Sequence, residues 1–240
     1  MTDNGKSLSQ HLHDQLSRLI QETDPGSKLL SEPKLAKKLG VSRATLREAM
    51  RIFETQGLIH RRQGVGTFVV PPAHVIDTGL EVLESILAQA ERKNLDIQVG
   101  PFSVIERPAE KEEAKALGLE PDDLVMQISW VMETPDRPVA YLVDVLPAGI
   151  FKVNEVRRRF AGSVLDMLME SNQFSLTTSR TDVSAVGAAP EVARSLGIQR
   201  GDVVLCFDAT LYTSEGKVVD YSHSYYLPGY FRFHVVRRVG

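Results

Sequence analysis

"LLSEPKLAKKLGVSRATLREAMRIFETQGLIHRRQGVGTFVV", residues 29–70, is the stretch whose reading decides the fold. Ser31 stands where it can cap a helix, with Pro33 in the first turn, Leu35, Ala36 and Leu39 on the inner face, and Gly40 at the end. Only Val41 and Ser42 remain before a longer helix begins. There Leu46, Ala49, Met50 and Phe53 fall at i, i+3, i+4 and i+7 and must face a core. A short helix, a glycine-bearing turn and a longer helix form the helix-turn-helix pattern. After Gly57, "LIHRRQGVGTFVV" reads as two short β-prone runs around the turn "QGVG", a hairpin with Arg61 and Arg62 at the end of its first strand. Upstream, Leu8, Leu12, Leu16, Leu19 and Ile20 recur at helical spacing and predict an amphipathic helix that stops before "DPGS". Together these elements make a winged helix.

Arg43, Arg47 and Arg51 project along the face beside the buried stripe of the longer helix. A solvated basic edge explains such a face on one helix alone, so the surroundings decide. Residues 1–70 hold 11 Lys/Arg against 7 Asp/Glu, whereas residues 71–240 hold 17 against 24. The excess concentrates between Lys28 and Arg62, with nine basic residues against three acidic ones, as expected of a small module facing a polyanion. Gly64-Val65-Gly66 is not half of a dinucleotide fingerprint, because it lies between two strands and no helix follows it.

The rest of the chain sets the frame. Its 240 residues, 42% hydrophobic and 25% charged, suit two soluble globular domains. We expect residues 1–70 as the first, residues 71–79 as a proline-bearing linker in "VVPPAHVIDTG", and residues 80–240 as the second, opened by a helix from about Leu80 to Lys93. No apolar run approaches the roughly 18 to 20 residues that cross a bilayer, and no signal-peptide core opens the chain, so a cytoplasmic protein with no membrane partner is expected. The single Cys206, in "VVLCF", reads as a small buried residue rather than a nucleophile.

Beyond the linker, β-prone runs alternate with short helices, which predicts an α+β domain on an antiparallel sheet. It contains a repeat. "EEAKALGLEPDDLVMQISWVMETPDRPVA" and "PEVARSLGIQRGDVVLCFDATLYTSEGKVV" align at a constant offset of 79, pairing Leu117 with Leu196, Gly118 with Gly197, Asp123 with Asp202, Val125 with Val204, Thr134 with Thr213 and Val139 with Val218. Each copy reads helix, tight turn, long strand, hairpin, strand. Two copies predict a pseudo-twofold sheet, whose seam is either a ligand cleft or filled by side chains.

The N-terminal stretch resembles the DNA-binding domain of the GntR family of bacterial transcription regulators in its Ser-Glu, Val-Ser-Arg-x-Thr-x-Arg, Gly-Leu-Ile and Gly-x-Gly-Thr-Phe-Val elements. That resemblance implies sequence-specific binding to double-stranded operator DNA, with Arg43 and Arg47 contacting base edges and phosphates in the major groove. A guanidinium there can donate twice to guanine. Ser42 and Thr45 suit phosphate oxygens near the helix's positive end, and Arg51 the DNA backbone. Arg62, Gly64 and Gly66 belong to the wing, whose tip at Gly64 would approach the minor groove. Pro33 departs from the polar residue many relatives carry after Ser-Glu, so no relative's operator can be borrowed.

The second half resembles the UTRA domain of the HutC subgroup, whose fold is like that of chorismate lyase. "AKALGLEPDDLV", "RPVAYLVDVLP", "GSVLDML", "ARSLGIQRGDVV" and "GKVVDYSHSYYLPGYFRF" carry the likeness. It implies an α+β chain in which the winged helix-turn-helix domain joins a chorismate-lyase-like sheet domain, a homodimer formed through that domain, and a repressor whose operator affinity changes when a small-molecule effector binds.

Transferred residue by residue, the effector positions are Asp220, Ser222, Tyr226 and Arg180. Where relatives present two arginines to sugar phosphates, this chain has Trp130 and Met132, and Leu142 replaces a glutamate. A more apolar pocket with a few polar anchors is therefore expected, and Trp130 reads equally well as core. Thr78 and Gly79 could offer amides to an anion at a helix start or form a plain cap.

An enzyme is the main rival reading, followed by a constitutive DNA-binding dimer. The six histidines, at 11, 13, 60, 74, 223 and 234, show no metal-ligand spacing, no nucleophile and base pair stands out, and "SEPK" falls inside the helix-turn-helix. No cofactor is expected.

Overall fold

Leu12, Leu16 and Ile20 occupy one face of α1 (Leu8–Gln21), buried because their i, i+4, i+8 spacing keeps them on that face. They close a core with Leu35 and Ala36 of α2 (Glu32–Leu39) and Leu46, Met50 and Phe53 of α3 (Arg43–Thr55). Gly40 ends α2 at φ +67°, a left-handed position that costs other residues about 1–2 kcal/mol. Ser31 occupies the N-cap of α2 but makes no side-chain cap bond. Ser42 caps α3, since its Oγ accepts the Thr45 amide at 3.1 Å. The hairpin follows as β1 (Ile59–Arg62) and β2 (Gly66–Val69), paired antiparallel, and Leu29 donates its amide to the Thr67 carbonyl at 2.8 Å alongside.

The computed structural model describes residues 8–55, 57–62, 64–70, 76–92 and 95–237. Two compact units divide the chain at Ile76, with Pro228–Tyr230 grouped with the first. No described helix is long and apolar enough to cross a membrane.

The second unit corrects two expectations. Residues 71–75 of the expected linker lie outside the described residues, but β3 (Ile76–Gly79) is a strand, parallel to β10 (Phe231–His234). Ile76 and Thr78 point the same way along it and are both buried, which holds the segment down. The helix expected from Leu80 begins later, as α4 (Ile86–Arg92), because Ser85 Oγ accepts the Ala88 amide and sets the N-terminus there. Thr78 and Gly79 are thus strand residues and do not start or cap a helix.

A six-stranded antiparallel sheet follows in the order β4-β5-β6-β9-β8-β7: β4 (Gln98–Pro108), β5 (Leu124–Glu133), β6 (Pro138–Pro147), β7 (Leu176–Gly187), β8 (Val203–Thr213) and β9 (Val218–Tyr226). The repeat is visible bond for bond. α5 (Lys111–Leu117) and α8 (Pro190–Leu196) end on left-handed Gly118 and Gly197, and in each following turn an aspartate accepts an amide three residues back, Asp123 from Glu120 and Asp202 from Gln199. The halves meet edge to edge where β6 pairs with β9.

The constant offset fails at the hairpins. Thr134 donates its amide to the Arg137 carbonyl, whereas Thr213 donates to Lys217, so the second loop is one residue longer. From there equivalent residues differ by 80, and the pairing of Val139 with Val218 is one residue out of step. In a strand such a slip exchanges the two faces.

On one face lie α5 and α8, α8 held by the Tyr141 hydroxyl donating to Glu191 at 2.6 Å. α6 (Val153–Arg159) and α7 (Val164–Ser171) share a core with Ile128, Leu146 and Leu211 of the other face.

Candidate functional site

Two surfaces hold the candidate residues, one in each unit. On the first, Glu32 lies between the two arginines assigned to base reading: Arg43 Nε donates to its carboxylate at 3.1 Å and Arg47 Nε at 2.8 Å. Arg47, then Arg43, hold that carboxyl below its usual range against the cost of burial. Both guanidinium groups remain more than half exposed, so Glu32 orients them without hiding them. Sequence reasoning missed Glu32, although its place in the Ser-Glu element one helix before the arginines was a usable signal.

Ser42 and Thr45 share a hydroxyl contact of 2.8 Å at the exposed start of α3. Arg51 pairs with Glu48 at 2.9 Å and is less exposed than Arg43 or Arg47. In the wing, the Arg62 guanidinium lies 5.5 Å from the centre of the Phe68 ring and donates to His60. Gly64 has φ +74° with open space where a Cβ would stand, while Gly66, at φ +145°, lies against Lys28.

On the second surface, β5, β6, β9, β8 and β7 present one pleated face to a cavity of about 660 Å³, covered by residues 78–89, the start of α7 and the end of β10. Register explains the choice of residues, since directly opposed partners share a face: Trp130 opposite Leu142, Leu142 opposite Ser224, and Asp144 opposite Ser222. Trp130, Met132, Leu142, Asp220, Ser222, Tyr226 and Thr78 all line this cavity.

Arg180 does not. It pairs opposite Thr210 on the other face of the sheet, exposed and 3.5 Å from Asp182, while its neighbours Ser179 and Thr181 turn inward. The alternation of a strand removes the one basic residue expected at the site. Cys206, also expected as a small buried residue, is buried on β8, with its thiol pushed up to about 12 by burial and by Asp208.

Asp144 was missed. It sits on β6, diagonal to Asp220 on β9, and both face the cavity. Burial pushes Asp144 up to about 7 against a hydrogen bond from the Trp130 indole, and burial followed by the charge of Asp144 holds Asp220 well above the usual carboxylate range. Trp130 is thus both core, packed edge-on against Phe160, and a brace for a cavity carboxyl. Asp220 Oδ1 and Thr78 Oγ1 are buried without a hydrogen-bond partner.

The acid with one unpartnered oxygen has a stability signature. In the unfolded chain Asp220 ionises near pH 4, but in the fold it holds its proton to higher pH, so its contribution is present below pH 4 and is lost as pH rises. Asp220→Asn is expected to stabilise the fold by about 1–2 kcal/mol at pH 7.5 and by almost nothing at pH 4. Thermal melts at both pH values check this, and an equal gap at both would contradict it.

A winged helix with an arginine-bearing third helix, followed by a duplicated sheet domain, defines a DNA-binding transcription regulator. The chain belongs to the GntR family of bacterial regulatory proteins, which residues 8–69 match, and residues 94–232 match the UTRA domain. It is 30% identical over 224 residues to the HTH-type transcriptional regulator Rv0792c of Mycobacterium tuberculosis, covering 91% of this chain and 81% of that one. The histidine utilization repressor of Pseudomonas putida is 28% identical over 197 residues, 78% of this chain and 76% of its own. Among solved structures, PhnF from Mycobacterium smegmatis shares the fold with a TM-score of 0.61 at 21% identity, covering 95% of this chain and all of that one. The two sequence relatives are named as a regulator and a repressor, and this chain is a regulator rather than an enzyme.

Proposed function

We propose that this protein is a cytoplasmic homodimeric repressor, whose winged helices bind a near-palindromic operator and whose UTRA cavity binds a small metabolite that alters operator affinity. Arg43 and Arg47 read bases in the major groove, Ser42, Thr45 and Arg51 hold phosphates, and the wing from Arg62 to Gly66 follows the minor groove. The observation that carries the ligand half is the cavity on the sheet face, with Asp220 and Thr78 each presenting a buried polar atom that the chain leaves unpartnered. The repressor half rests on membership of the GntR family and on relatives named as repressors, NagR of Bacillus subtilis and the histidine utilization repressor of Pseudomonas putida.

Melting the full chain against a metabolite library, followed by gel shifts on the promoter beside its own gene, tests the reading. A compound that binds the folded state raises the melting temperature, and a coupling of about 1–3 kcal/mol changes operator affinity 5- to 150-fold. A library without any such compound would reduce the protein to a constitutive DNA binder. A footprint of one asymmetric site per chain would remove the dimer.

A further inference from the structure

The cavity's charge is one-sided. Among the described residues its lining includes Glu81, Glu84, Asp144 and Asp220, and no lysine, arginine or histidine. The two outer acids are already engaged, Glu84 by Arg92 and Glu81 by the Val236 amide. The two inner acids are not equally served: Asp144 receives the Trp130 indole and Asp220 the Val145 amide, but Asp220 Oδ1 has no partner and its residue is 93% buried, at 7% exposure. Around them the walls are mixed: Met132, Leu142, Leu165, Phe207 and Leu211 are apolar, while Ser222, Ser224 and Thr181 present hydroxyls.

We propose that the cavity recognises an organic cation, a protonated amine on an apolar body, with the ammonium group seated between Asp220 and Asp144. The proposal rests on the effector reading above and names its ligand class. An ammonium supplies the donor that Asp220 Oδ1 lacks and the positive charge that lets two neighbouring carboxylates ionise together. A phosphorylated or carboxylated metabolite would bring a like charge against both acids, with no cation among the described lining residues to offset it. The apolar part of the wall, Met132, Leu142, Phe207 and Leu211, accepts an aliphatic or aromatic body.

The recognition carries a proton. The groups facing the pair are few: Tyr226 on β9, the engaged Glu81 and Glu84 in the covering segment with His234 of β10 beside Glu81, and only uncharged side chains from β5, β7, β8 and α7. Because the empty pair holds protons that an ammonium displaces, binding releases a proton and tightens as pH rises, while an alkylamine stays charged below about pH 10.

The experiment compares three probes of one shape on the full chain: phenylethylamine, neutral phenylethanol and anionic phenylacetate, each measured by calorimetry at pH 5.5 and 7.5. The amine is expected to bind at least tenfold tighter than the other two at pH 7.5 and to gain roughly tenfold or more between the two pH values. Asp144→Asn and Asp220→Asn, checked for folding by circular dichroism, should each flatten that pH gain. Tighter binding of the alcohol or the acid, or of none of the three, overturns the cation assignment, as does a pH-independent amine. A neutral or anionic library compound that shifts both melting and operator affinity would leave effector control standing while removing the cation.

Discussion

Leu46→Ala is expected to remove about 2–5 kcal/mol from the N-terminal unit. Leu46 is fully buried at the junction of α1, α2 and α3, among Leu12, Leu16, Leu35 and Phe53, so its truncation leaves a cavity that three helices must share. A unit of about 60 residues has little stability to spare, and a loss on this scale consumes most of it. Denaturant unfolding followed by helical signal should show an early transition moving to lower concentration while the sheet domain's stays in place. DNA binding should fail with it. A loss below 1 kcal/mol would mean that Leu46 does not anchor the helix that carries the arginines.

Arg47→Ala comes next in size, acting on DNA affinity rather than on the fold. If its guanidinium donates to a guanine through two bonds, removal costs about 1–3 kcal/mol on the operator, a 5- to 150-fold loss, and far less on random DNA. Arg47→Lys keeps the charge without the planar fork and should recover only the phosphate share. Competition gel shifts with operator and random duplexes separate the cases. Equal weakening on both duplexes would make Arg47 a phosphate contact.

Much of the first unit was legible because its signals are local. Leu35, Ala36 and Leu39 announce one helix and Leu46, Met50 and Phe53 the next, at 3.6-residue spacing, and Gly40 marks the turn between them. The bond between Glu32 and both arginines spans 11 and 15 residues, and no periodicity records it. In the second unit the repeat revealed the helices and strands of both copies, yet not where one loop gains a residue. Arg180 shows the limit of transferring a residue by motif: its side of the strand depends on a register set by β8, not by its neighbours in sequence. Asp144 was hidden for a related reason. In "YLVDVLP" it reads as a polar break in an apolar strand, and only its place diagonal to Asp220 across β6 and β9 gives it meaning.

The extra residue in the second hairpin bears on how a duplicated scaffold acquires a single site. With equivalent positions 80 apart beyond the turns, Asp220 corresponds to Ala140 and Asp144 to Ser224. Each copy therefore contributes one acid at a position where its twin carries a small residue. The backbone is nearly symmetric about the β6–β9 seam, but the chemistry on it is handed: turned about that axis, the acid pair does not fall on itself. A bound molecule thus meets two inequivalent carboxyls, one braced by an indole and one left open, and can be held in a single orientation. Divergence between the copies, more than their likeness, is what lets a sheet built twice tell one end of a ligand from the other.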